Sequence, residues 1–224
     1  MKEKTLDLIK ERGNFLIENW DSEFSDRSEF WNKGPSKFFY EEIIKMHKEK
    51  GIENLLEDRY FYVCVYGALA SWGLDRMGKG GPKMRDFDEF KEEIEKRKEK
   101  IISLSQYKTF IENAEKELYD IFNELRFLEN KTKIVANSKV LHFLVPRIAP
   151  IVDREYILRF FKSRDLTKYP SLNSNEEGEI FLEITKTYHK LLSKLLTRYS
   201  INDEDPLKII DNGIVNYVRK KIVG

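Results

Sequence analysis

A chain of 224 residues that is 41% hydrophobic can bury a sizeable core, either as one large domain over 1–224 or as two lobes near 1–104 and 105–224. Its 40 basic and 39 acidic side chains nearly cancel, which excludes a global field drawing in nucleic acid or an anionic membrane; such a partner would need a local patch. A lone cysteine, Cys64, excludes an intramolecular disulfide and a cysteine-based zinc site, and the histidines His47, His142 and His189 stand far apart.

The opening residues are charged from the first turn, unlike a signal peptide, and the longest apolar run, Tyr60 to Trp72, falls short of the roughly 20 residues that span a bilayer. A cytoplasmic protein without a membrane partner is expected. Glutamine is scarce while Lys, Glu and Ile are abundant, a bias of heat-adapted proteins.

Leu6, Ile9, Phe15, Leu16 and Ile17 among charges predict an amphipathic helix over 4–19, followed by short turns and a loop to Lys37. Phe38, Phe39, Ile43, Ile44 and Met46 predict a second helix, ended by Gly51. Residues 53–73 are apolar on several faces, as a buried helix would be, and Cys64 reads there as a small core hydrophobe. A loop follows over 71–85, rich in glycine and closed by Pro82. Asp86 with Glu89 forms a capping-box-like start to a helix reaching Leu104, and Gln106 to Leu128 is a further amphipathic helix.

Asn137 or Ser138 is placed to cap the next helix, which Pro146 should end; Asp153 is placed to cap the one after it. Ser174 with Glu177 opens a helix to Arg198, and Asp205-Pro206 opens the last one. With no alternating strand series, the class expected is all-α, about nine helices.

Chemistry concentrates first in 137–161. Lys139 is expected in the first turn of one helix and Asp153 at the start of the next, where the positive end of a helix lowers a lysine pKa and stabilises a carboxylate. A deprotonated Lys139 would be a nucleophile with Asp153 as its partner. The competing readings are a solvated lysine and an aspartate that only caps. His142 lies one helical turn beyond Lys139, either facing the same side or hydrogen-bonded within the core.

Ser138-Lys139 followed by apolar residues, then Ala149-Pro150-Ile151-Val152-Asp153, resembles the core of the helix-hairpin-helix DNA glycosylases. That resemblance implies an all-helical fold, a lysine that attacks the sugar C1′ to form a Schiff base, and an aspartate that supports the cationic transition state. Those roles fall on Lys139 and Asp153. The glycine-rich hairpin that holds DNA phosphate in that superfamily is not matched, since residues 131–138 contain no glycine. A more specific resemblance rests on Ser-Lys-x-Leu-His-Phe-Leu-x-Pro, Pro-Ile-x-Asp-Arg-x-Tyr and the upstream Ala-x-Trp-Gly-Leu-Asp-Arg-Met-Gly. It is to a family of prokaryotic proteins and implies no activity.

The 71–85 loop is the second candidate. Lys79, Lys83 and Arg85 alternate with glycines whose backbone N–H groups could approach a phosphate, and Trp72 and Arg76 could add stacking and ion pairing. The ending of a P-loop is missing, and an ordinary interhelical loop fits as well. Between Lys131 and Lys168 nine basic residues, Arg154 among them, outnumber three acidic ones, a local patch suited to phosphates or to acidic helices. No metal-ligand or dinucleotide pattern occurs, so no metal or cofactor is expected. The functions in view are a nucleic-acid-associated helical protein distantly related to DNA glycosylases, a non-enzymatic helical interaction protein, and a nucleotide or phosphate binder using the 71–85 loop.

Overall fold

A computed structural model describes residues 2–29, 35–74, 83–129, 133–170, 176–199, 201 and 205–223. They form α1 (Lys2–Glu18), α2 (Trp20–Glu23), α3 (Ser36–Glu49), α4 (Ile52–Leu55), α5 (Arg59–Leu69), a π-helical turn (Ala70–Leu74), α6 (Phe87–Glu95), α7 (Lys98–Ser105), α8 (Glu112–Glu124), α9 (Ile134–Leu144), α10 (Ile157–Lys162), α11 (Glu177–Leu195) and α12 (Lys208–Val223). The protein is all-α, as the periodicity predicts. Among the described residues the only extended pairing is a single antiparallel bridge between Met84 and Leu128.

Among the described residues twelve α-helices stand where about nine were expected, because long periodic stretches are interrupted by specific side chains. Residues 53–73 split into α4 and α5 at Asp58, whose carboxylate accepts the Tyr60 N–H at 2.9 Å and so starts a new helix. The π turn then ends at Gly73, whose φ of 75° suits glycine alone among common residues. The expected helix from Phe87 to Leu104 breaks at Lys96 and Arg97, where the Arg97 guanidinium donates to the carbonyls of Glu93 (2.8 Å) and Glu124 (2.9 Å). Its start is as expected: Asp86 Oδ1 accepts the Glu89 N–H at 2.9 Å. The helix predicted from Gln106 begins only at Glu112. The Ser174 capping box lies outside the described residues, and Asp205-Pro206 precedes α12 by a turn rather than opening it.

α9 is the centre of the molecule. Every residue in it except Val135 is buried, and it packs against α5, α8 and α11. α1 lies along α11 and α10, so the chain's beginning rests on its second half. Gly13 permits that approach, since a Cβ there would sit 2.7 Å from Thr187 Oγ1. α10 packs on α12, and the rings of Phe24, Phe160 and Tyr217 join the end of α2 to both; Phe24 and Tyr217 stack at 4.5 Å. Cys64 is buried in α5, as expected of a core thiol. No helix among the described residues is long and apolar enough to cross a membrane.

Candidate functional site

α9 starts earlier than its sequence suggests. Asn137 and Ser138 were the expected caps, but both lie inside the helix and are fully buried. The free N–H groups of Lys133 and Ile134 are instead held by Glu177 Oε2 from α11, at 2.6 and 3.1 Å. Asn137 Nδ2 donates to the carbonyls of Phe122 and Leu125, at the end of α8. Ser138 Oγ exchanges hydrogen bonds with the backbone of Val152, at 3.1 and 3.2 Å, and so pins the segment before Asp153 against α9.

The shift places Lys139 in the second turn of α9 rather than the first. Its side chain is 8% exposed, and its ammonium lies 4.7 Å from the ring centroid of Trp72 in the π turn. Trp72 stacks in turn on Phe143, one helical turn beyond Lys139. Burial lowers the Lys139 pKa to about 8, against the raising influence of Asp153 and Asp211. No carboxylate among the described residues forms a salt bridge with this ammonium. Near pH 8 about half of the amine is neutral, the form that attacks an electrophilic carbon.

Asp153 reaches solvent partially at the rim of this niche. Its Oδ1 accepts the Tyr156 N–H at 2.6 Å in the turn that leads into α10, and the N–H of Ile157, the first residue of α10, also favours its charged form. Burial raises its pKa, the Tyr156 N–H opposes the rise, Asp211 adds to it and Lys139 opposes it. Lys139 and Asp153 therefore act on each other electrostatically across the α9–α10 connection, and the fold brings Trp72 to the same place.

Behind Lys139 lies a polar cluster that the sequence did not announce. His142 Nδ1 donates to the Ala149 carbonyl at 2.9 Å, and its Nε2 lies 3.4 Å from Asp205 Oδ2, with both side chains buried. Tyr40 from α3 donates its hydroxyl to the same carboxylate. Burial works against the charged form of Asp205, but His142, Tyr40 and Lys208 outweigh it and hold the pKa below the usual value. Lys208 pairs with Asp211 at 2.6 Å, so α12 begins with a largely buried ion pair. Tyr188 of α11 is fully buried; burial together with Asp211 and Asp153 keeps its hydroxyl protonated far above neutral pH.

All three histidines converge here from distant parts of the chain. His47 donates to the Phe143 carbonyl at 2.7 Å and His189 to the Ile148 carbonyl at 2.8 Å, beside the His142 bond to Ala149. They satisfy carbonyls at the end of α9 and in the turn after it, two of them from other helices and one, His142, from α9 itself. Pro146 lies in that turn, two residues past the helix end.

The second sequence candidate is organised differently. Arg76 and Lys79 lie outside the described residues. Lys83 and Arg85 use their backbones: the Lys83 carbonyl accepts the Glu129 N–H and the Arg85 N–H donates to the Phe127 carbonyl. The Lys83 side chain is exposed, and Tyr66 holds the Arg85 carbonyl at 2.9 Å. Among the described residues of this group, Trp72 is the one placed against Lys139. Arg154 is exposed directly after Asp153.

Among the described residues, no three or more His, Cys, Asp or Glu side chains are grouped to hold a metal ion. No family model matches the chain, and no curated protein or solved structure is significantly similar to it.

Proposed function

We propose that the protein acts on nucleic acid, with the Lys139 amine as nucleophile and Asp153 as the carboxylate that supports the cationic intermediate. The observation that carries this reading is the state of Lys139: buried, facing the Trp72 ring, and with its pKa lowered to about 8. A lysine kept only for packing gains nothing from this arrangement, because burying an ammonium without a paired carboxylate is costly. The resemblance of 138–153 to the helix-hairpin-helix glycosylases supplies the substrate class. In that chemistry the neutral amine bonds to the sugar C1′ as the base leaves with the bonding electron pair and takes up a proton; the attached nitrogen then loses a proton, the C1′–O4′ bond opens with its pair going to the ring oxygen, which is protonated, and an iminium forms.

Borohydride reduces such an iminium to a stable secondary amine, so the adduct can be trapped. The expected result is a covalent protein–DNA adduct on abasic or base-damaged oligonucleotides, absent from Lys139→Ala and weakened in Asp153→Asn. An adduct that persists in Lys139→Ala, or none on any such substrate, overturns the reading. A non-enzymatic interaction protein is the second reading. Asn137, Ser138 and His142 favour it, since each hydrogen-bonds α9 to a neighbouring segment.

A further inference from the structure

Next to Asp153 the chain holds an arrangement that packing alone does not require. Arg159 of α10 is buried, at 4% exposure, yet makes no salt bridge among the described residues. Its Nη1 donates weakly to the Leu166 carbonyl at 3.3 Å, and its Nε is buried with no hydrogen-bond partner. Buried guanidinium groups are ordinarily matched by a carboxylate. Here the guanidinium lies instead 3.9 Å from the ring centroid of Tyr169.

Tyr169 is itself unusual, a large aromatic side chain left 58% exposed. A second guanidinium, that of the exposed Arg154, approaches the same ring at 5.7 Å and also makes no salt bridge among the described residues. The neighbouring cations are engaged elsewhere: Arg164 with Glu11 and Lys168 with Asp165. The result is an exposed ring against a buried cation, with two like charges beside it and neither in a salt bridge among the described residues.

We infer that Arg154, Tyr169 and Arg159 form a docking platform for a single-stranded nucleic-acid segment, with a base stacked on Tyr169, the ring braced by the buried Arg159, and a backbone phosphate at the exposed Arg154 guanidinium. A stacked base uses the exposed ring, and a phosphate answers the uncompensated Arg154 charge, the combination that single-strand binding surfaces employ. Arg154 follows Asp153 directly in the chain, which ties the platform to the segment that carries the proposed carboxylate. The inference deepens the nucleic-acid reading and rests on it for the class of partner. An acidic peptide could satisfy the charges but has no use for the ring.

The test is fluorescence anisotropy of the full chain with a labelled single-stranded oligonucleotide, titrated at several salt concentrations. Tyr169→Ala should weaken binding about 10-fold or more and leave the salt dependence unchanged, while Tyr169→Phe retains affinity. Arg154→Ala should reduce the slope of log affinity against log salt by about 0.7, the loss of one phosphate contact on a single strand. Both positions are exposed, so melting curves should match the parent. Failure of the parent to bind, or equal binding by the parent, Tyr169→Ala and Arg154→Ala, overturns the platform. So does polyglutamate competing as well as the oligonucleotide. Binding needs no chemistry, so platform-dependent affinity without a trapped adduct removes only the catalytic reading. An adduct formed as efficiently by Tyr169→Ala and Arg154→Ala removes only the platform.

Discussion

Residues 137–161 and 71–85 both set cations among helix breakers, yet the structure treats them in opposite ways. The first segment lies at the centre of the fold, where Lys139 is removed from water, faced by Trp72 and influenced by Asp153 and Asp211. In the second, Lys83 stays in solvent, and 83–85 are fixed mainly through backbone contacts with 127–129. The difference teaches that residue type and nearby prolines or glycines do not make a reactive group. Burial does, because the cost of holding a charge away from water changes its protonation. Two lysines, one in α6 and one just past its end, make the same point: Lys91 and Lys96 pair with Glu95 and Glu92 one turn away, each at 2.8 Å.

The largest contrast should appear in chemistry. Lys139→Ala should reduce trapped adduct by at least about 10³-fold, as loss of a nucleophile does, whereas Lys83→Ala should cost less than about 10-fold. Equal losses would erase the distinction between the two segments.

The next effect is on stability against pH. Below about pH 8 Lys139 is protonated in both the folded and unfolded chain, and the burial cost is present in full. Above that pH the folded chain releases the proton first, while the unfolded chain holds it until about 10.5. The unfolded state then binds more protons, so stability rises with pH across this window, by about 3 kcal/mol in total. Lys139→Met removes that rise. Denaturation of both proteins from pH 7 to 11 should show their difference in stability changing by about that amount, and a constant difference would contradict a buried, perturbed lysine.

A smaller effect is expected at Asn137. Replacement by Ala leaves the Phe122 and Leu125 carbonyls without their buried donor and should cost about 2 kcal/mol, measured by urea denaturation. The smallest belongs to the exposed comparison: Lys96→Ala, which loses a surface pair with Glu92, should change stability by less than about 0.5 kcal/mol. A larger loss there would mean that surface pairing matters more to this highly charged chain than is usual.

Much of the fold can be read locally. Apolar spacing marks the helices, Asp86 with Glu89 marks the start of α6, and the stop before Pro146 marks the end of α9. The misread boundaries are those controlled by remote groups. Arg97 breaks a helix by reaching the carbonyl of Glu124, and α9 begins at Ile134 because Glu177, more than forty residues later, supplies its cap. The niche follows the same division. Lys139 and Asp153 stand out in the sequence, and Trp72 was marked for stacking, but Asp205, Asp211, Tyr40 and Tyr188 carry no local signal.

Local preference and apolar periodicity therefore suffice for an all-helical chain with a large aromatic core, since both act between residues a turn or two apart. They also place a lysine and an aspartate on either side of a proline-bounded turn. The perturbed state of Lys139, the meeting of three histidines at the end of α9, and the bare charges beside Tyr169 depend on packing. Desolvation and electrostatic coupling are set by whichever groups the fold brings near, and those come from α3, α11 and α12, far away along the chain.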